Sequence, residues 1–243
     1  MRFSQAWIVA RHDMTLLRQK RGILIGLIAY PVGIGLGFPA LVGYLVGLGH
    51  DPASWVPMYL NAFSFWFVIG AATLPTTIAA YSIVGEKVSK SLEPLLATPT
   101  TDGEILLGKG LAAFVPTVLA MWAGSVIFQA LVDFFTRGPF GYLFYPNWQM
   151  VIILLVTMPL ATLLAIEACV VISSRVTDVR SAQQYSGVIF LPLIFLYIAA
   201  EIKLPLNATN LLIISGGLAG IVLVLFFVGL KTFHREEILT RWK

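Results

Sequence analysis

Residues 103–132 read GEILLGKGLAAFVPTVLAMWAGSVIFQALV, and two folds compete for them. The first eight residues fit the phosphate-binding pattern G-x-x-x-x-G-K-[ST] up to its last position, where Gly110 replaces the hydroxyl that ligates Mg²⁺. Such a loop works only between a buried strand and a helix N-terminus. The residues before it, Thr98-Pro-Thr-Thr-Asp102, form a breaker-rich turn and no strand. From Gly110 to Val132 the chain then carries no charge. A run of about 20 apolar residues is what a helix needs to cross the roughly 30 Å bilayer core. The stretch therefore reads as the end of a connection followed by a spanning helix. Thr101 or Asp102 is the expected N-cap. Glu104 falls in a first turn that favours acidic residues. Lys109 is expected to snorkel at the membrane surface.

The same pattern recurs along the chain. Hydrophobic residues make up 58% of the 243 residues and charged residues 12%, where a soluble domain has roughly 25%. Mean hydropathy is +0.87. Six long gaps between charges qualify as spans: Gly22 to about Gly49, Ala53–Gly85, Gly110–Val132, Asn147–Ser174, Ser181–Ala200 and Leu204–Leu230. The second gap is longer than one span needs, so its helix is expected to begin near Asn61, with Trp55 and Tyr59 at the interface. The predicted fold is all-α, with six transmembrane helices.

Orientation follows from lysine and arginine, which concentrate in short cytoplasmic loops. Fourteen of the sixteen lie in the N-terminal stretch, the 2–3 and 4–5 loops and the C-terminal stretch, leaving Arg137 and Lys203 in the other loops. Both termini are therefore expected inside. The pI of about 9.3 needs no nucleic-acid partner to explain it. The N-terminal stretch does not read as a cleaved signal, so the first helix is expected to stay as an anchor. Residues 1–21 form a cytoplasmic amphipathic helix, with Phe3, Ala6, Trp7, Ala10, Met14 and Leu17 near one face and Arg2, Arg11, His12, Asp13 and Arg18 elsewhere. Residues 22–243 form a single membrane domain containing a cytoplasmic segment at 85–109.

That segment has its own periodicity. Val84, Val88, Leu92 and Leu95/Leu96 fall at helical spacing, while Glu86, Lys87, Lys90 and Glu93 occupy the other faces. The pattern is that of a short amphipathic helix ended by Thr98-Pro99. It would either lie on lipid or dock on a cytoplasmic partner.

In these residues the chain resembles ABC-2 type transporter permeases, the membrane subunits of one class of ATP-binding-cassette transporter. Glu86, Ser91-Leu92-Glu93, Leu95-Leu96, Thr98-Pro99, Glu104-Ile105 and Gly108-Lys109 follow that family's E…[ST]-L-E-x-L-L-x-T-P…E-I…G-K pattern. Residues 173–184, SSRVTDVRSAQQ, resemble its segment between helices 4 and 5, including Arg175, Asp178, Arg180, Gln183 and Gln184. Two features depart from the pattern: Pro94 interrupts the cytoplasmic helix, and no large domain separates helices 1 and 2. The resemblance implies a permease, with a lean to export, in the cell membrane, paired with a second permease chain and docked on separate ATPase subunits. It also implies an elbow helix at the N-terminus and a coupling helix whose Glu86, Lys87, Leu92, Glu93, Leu95, Leu96, Thr98 and Pro99 contact the ATPase. ATP and Mg²⁺ would be bound by that partner and no cofactor by this chain.

Glu167 is the one formal charge inside a predicted span. A carboxylate there costs about 2.5–3.5 kcal/mol on insertion scales and usually faces a cavity or the bundle interior. It is either a glutamate held by neighbours or a residue of the translocation path. No metal site is expected, because no second His or Cys stands at ligand spacing to His12, His50 or His234, and Cys169 is the single cysteine. Gly33-x-Gly-x-Gly37 and Gly43-x-x-x-Gly47 should let helix 1 pack closely on a neighbour. Phe134, Phe135, Phe140, Tyr142, Phe144, Tyr145 and Trp148 should form an outer interfacial cap. An enzyme of the membrane interior is not expected, since no Ser/His, paired Asp or His-x-x-Glu-His constellation is present. The rival class is a secondary transporter or channel without an ATPase, which would normally show internal repeats or more intramembrane ionisable groups.

Overall fold

The computed structural model describes residues 3–48, 52–85, 100–173, 176, 178–203 and 208–232. Among them every element is helical. Helix α1 runs Phe3–Gln19, α2 Arg21–Gly47 and α3 Pro52–Ala80, the last continuing as a π-helical turn, Tyr81–Gly85. Helix α4 is Asp102–Phe140, α5 is Trp148–Ser173 with a π-helical stretch at Ile153–Thr157, α6 is Val179–Lys203 and α7 is Ala208–Thr232. Five of these, α2, α3 with its π turn, α4, α5 and α7, are long and apolar enough to cross a membrane. The predicted span Ser181–Ala200 falls on α6, much of whose second half has side chains outside the described residues.

Several boundaries differ from the sequence expectation. Helix α4 has 39 residues, about 58 Å at 1.5 Å per residue, so it overruns the predicted Gly110–Val132 span at both ends. Its start is a capping box: the Thr101 hydroxyl accepts from the Glu104 amide while the Glu104 carboxylate accepts from the Thr101 amide. Its end is Gly141 at φ 72°, whose amide donates to the Arg137 carbonyl. Helix α3 begins at Pro52, nine residues before the expected Asn61, with proline at the first helical position, where its missing N–H costs nothing. Trp55 does not mark a separate interfacial segment. Val56 and Leu60 beside it are fully buried in the main core.

The core forms where α2, α3, α4 and α5 meet, around Phe67, Met121, Phe128, Met150 and Ile153. A second cluster, at the α1 end, joins Leu27, Ile78, Ile83, Ala113, Ile166 and Ala182. Helix α2 lies against α4, α3 against α5, and α7 against α5. The outward faces remain apolar: Ile25, Ile28 and Tyr44 of α2 and Leu223, Val224 and Phe227 of α7 are all exposed. Faces of this kind suit lipid, since soluble monomers rarely expose large contiguous apolar patches.

Close approach of α2 to α4 rests on three glycines. A Cβ on Gly35 would stand 2.7 Å from the Gly124 carbonyl oxygen, one on Gly124 2.5 Å from Pro31 Cβ, and one on Gly43 2.7 Å from the Phe135 ring. The predicted glycine stripe thus operates through Gly35 and Gly43, whereas Gly33, Gly37 and Gly47 face open space.

Candidate functional site

Two constellations near the α1 end combine polar chemistry with burial. The first centres on Lys109, only 2% exposed, which corrects its expected place at the membrane surface. Its ammonium donates to Asp13 Oδ2 at 3.2 Å, to the Ser82 carbonyl at 2.8 Å and to Ser82 Oγ at 3.3 Å. The Ser82 hydroxyl in turn donates to Asp13 Oδ2 at 2.5 Å. The lysine is buried because α1 packs directly on the first turns of α4. Gly108 permits that approach, since a Cβ there would meet the Ala6 carbonyl and Val9 Cβ at 2.7 Å. An ion excluded from water must find its counter-ion inside, and Asp13 supplies it.

This arrangement reorients α1. Its buried residues are Ala6, Val9, Ala10 and Asp13, while Phe3 and Trp7, expected on the apolar face, are exposed at 68% and 46%. Small residues face the protein because α4 lies close, and the large rings are left for the surroundings. His12 has an exposed side chain beside Asp13. A further contact closes the corner: the Lys20 ammonium lies 4.2 Å from the Tyr81 ring centroid. Asp13 and Ser82 were not singled out by sequence reasoning. The available signal was the 6-9-10-13 spacing of small residues and one acid on a single helical face.

The second constellation is a groove of about 360 Å³ around Glu167. It is lined by Phe3 of α1, Leu107, Leu111 and Phe114 of α4, Leu163 of α5 and Phe226 of α7, among others. Among the described residues Glu167 is its only charged lining residue, and the carboxyl Oε2 is buried without a hydrogen-bond partner. The carboxyl faces this groove.

The remaining predicted residues separate. Glu86, Lys87, Leu92, Glu93, Leu95, Leu96, Thr98, Pro99 and Arg175 lie outside the described residues. Asp178 precedes α6, where its Oδ2 accepts from the Ser181 amide at 3.0 Å and the Ser181 hydroxyl at 3.2 Å. These bonds, the amide foremost, hold the exposed Asp178 carboxyl below its ordinary pKa. Arg180 and Gln184 are exposed and Gln183 is half-buried on the same first turns. Glu167 stands apart, in the groove.

At the opposite end, the predicted aromatic cap is partly exposed and partly core. Phe134, Tyr142 and Trp148 are exposed, but Tyr145 is 4% exposed and packs on Phe128. Asp133 folds this connection by accepting from the Phe144 and Tyr145 amides at 2.9 and 3.0 Å. Burial, reinforced by the Asp133 charge, pushes the Tyr145 hydroxyl above its usual pKa. Among the described residues no group of three or more His, Cys, Asp or Glu side chains could hold a metal ion. Cys169 is buried. No family model matches the chain, and no curated protein matches it.

Proposed function

We propose that this chain is the membrane subunit of an ABC-2 type transporter, with six spans and both termini on the cytoplasmic side of the cell membrane. Two such permease chains would frame the translocation path, most simply for export, while separate ATPase subunits bind ATP and Mg²⁺. The reading is carried by two segments that resemble that family, residues 84–109 and 173–184, each in a loop of the side expected from basic-residue placement.

The geometry around the first segment is compatible with coupling. Residues 86–99 connect the π turn Tyr81–Gly85 to the capping box at Thr101. Both flanks are fastened to α1 through Ser82, Lys109 and Asp13. A displacement imposed on the segment would therefore act on α1, α3 and α4 together. π-Helical turns within α-helices are frequent at functional sites. Asp178, Arg180, Gln183 and Gln184 open α6 in the second loop of that side, and Glu167 is the candidate residue of the path.

Co-purification with a candidate ATP-binding-cassette ATPase, sought first in the open reading frames beside its gene, tests the proposal. The wild-type chain is expected to form a stable complex that Leu92→Asp abolishes, because a charge on the apolar docking stripe must be desolvated at the interface. A complex unaffected by Leu92→Asp would move the docking surface elsewhere. Failure of any ATPase to bind the wild type would replace this reading with an ATPase-independent secondary transporter or channel.

A further inference from the structure

The groove around Glu167 has three properties that together specify a ligand. First, its carboxyl oxygen is unsatisfied where comparable groups are not. Asp13 is paired with Lys109 and Ser82, Glu104 with Thr101, and Thr157 with Ser215 across α5 and α7 at 2.8 Å. The other buried side-chain atoms without a partner among the described residues, Trp55 Nε1 and Gln149 Nε2, are neutral donors on residues outside the groove. Second, among the described residues the remainder of the lining is aliphatic, aromatic or glycine, so none of it can satisfy Glu167. A donor that enters the groove would satisfy it. Third, the groove of about 360 Å³ lies against the carboxylate and has room for a ligand. A Cβ on Gly110 would meet Ile166 Cγ2 at 3.7 Å and one on Gly229 would meet Val171 Cγ2 at 3.8 Å, both ordinary contacts.

Depth adds the orientation. Glu167 lies six residues before the end of α5 at Ser173, about 9 Å along the helix. The early turns of α4 and the late turns of α7 complete the lining at the same end of the bundle. A polar group at that depth sits near a membrane surface while its tail extends along hydrocarbon. The volume of about 360 Å³ falls within the roughly 300–1,000 Å³ of small-molecule sites.

We propose that this groove binds a single-chain amphiphile bearing a protonated amine, with the ammonium on Glu167 and the alkyl chain along Leu111, Phe114 and Leu163. An ammonium supplies both the missing donor and the opposite charge, and charge-assisted bonds are about twice as strong as neutral ones. A neutral alcohol supplies only the donor. An anionic amphiphile would set like charges together. The site goes beyond the transporter reading and belongs to the isolated chain, so it can fail while ATPase assembly succeeds, and the reverse.

The test uses the purified full chain in phosphatidylcholine nanodiscs, whose headgroups carry no N–H donor. Radiolabelled dodecylammonium is titrated by equilibrium dialysis, with empty nanodiscs correcting for partition into lipid and dodecanol as the neutral control. Saturable binding near one per chain is expected, weakened about ten- to a hundredfold by Glu167→Gln through loss of one charge-assisted bond. Gly110→Leu should weaken it comparably by filling the groove while leaving the carboxylate in place, which keeps the test decisive if Glu167→Gln folds poorly. Dodecanol binding should be the same in wild type and Glu167→Gln. Absence of saturable binding, equal dodecylammonium affinity in wild type and both variants, or dodecanol binding as tight as dodecylammonium would each overturn the proposal.

Discussion

Lys109 carries the strongest local lesson. In sequence it completes most of a phosphate-binding pattern and stands where a snorkelling anchor would. In the fold its ammonium is consumed by Asp13 and Ser82 and could not reach a phosphate. The pair is almost fully buried, at 2% and 5% side-chain exposure, so removing one partner leaves the other charged and desolvated. Asp13→Asn or Lys109→Met alone should therefore lower stability by about 3–5 kcal/mol. The combined Asp13→Leu, Lys109→Met variant should recover much of that loss, because burying two apolar groups is often neutral. Detergent-solubilised thermal unfolding of the four proteins measures this cycle. Additive losses would show that the two charges do not depend on each other. The start of α4 was legible because capping is local, with Thr101 or Asp102 just ahead of Glu104, whereas the reciprocal Thr101–Glu104 bonds are seen only in the fold. The ion pair was not, since its members lie 96 residues apart.

At the scale of elements, the α2–α4 crossing is set by backbone contact. Gly124 faces Pro31, and its added Cβ would lie 2.5 Å from Pro31 Cβ and 2.7 Å from the Pro31 carbonyl oxygen. Gly124→Ala must push the helices apart and should cost about 1–3 kcal/mol, as overpacking does. Gly216→Ala, with nothing within 4 Å of its Cβ, should be neutral or stabilise by up to about 1 kcal/mol through helix propensity. Thermal unfolding of the two variants in the same detergent checks the contrast, and equal effects would contradict the crossing. Glycine spacing identified α2 as a closely packed helix, but only tertiary contact separates Gly35 and Gly43 from Gly33, Gly37 and Gly47. The same limit applies to α1, whose period was readable while its buried face was not. Helical periodicity states which residues share a face, and the neighbour decides which face is covered.

For the whole molecule, the number of crossings decides where the ends lie. Among the described residues five helices have the length and apolarity to cross. The proposed sixth, on α6, places both termini on one side, whereas five crossings would place them on opposite sides. Cys169 is buried and will not compete, so single cysteines can report position. In intact cells an impermeant thiol reagent should label Tyr142→Cys directly, and Ser4→Cys and Lys243→Cys only after permeabilisation. Labelling of Lys243→Cys without permeabilisation would remove the sixth span.

The sequence by itself determined the environment, the helical class and most span positions, because a 30 Å apolar slab imposes length and polarity rules that each segment obeys independently. It also located the N-terminal cap of α4 and the unusual Glu167, which are local or compositional signals. Tertiary structure alone decided that Lys109 is a buried counter-ion, that α1 presents Ala6, Val9, Ala10 and Asp13 inward, and that Glu167 looks into an apolar groove without a partner. Each of these depends on which helices touch. Spacing along one chain cannot encode contact between residues tens of positions apart until the helices have packed.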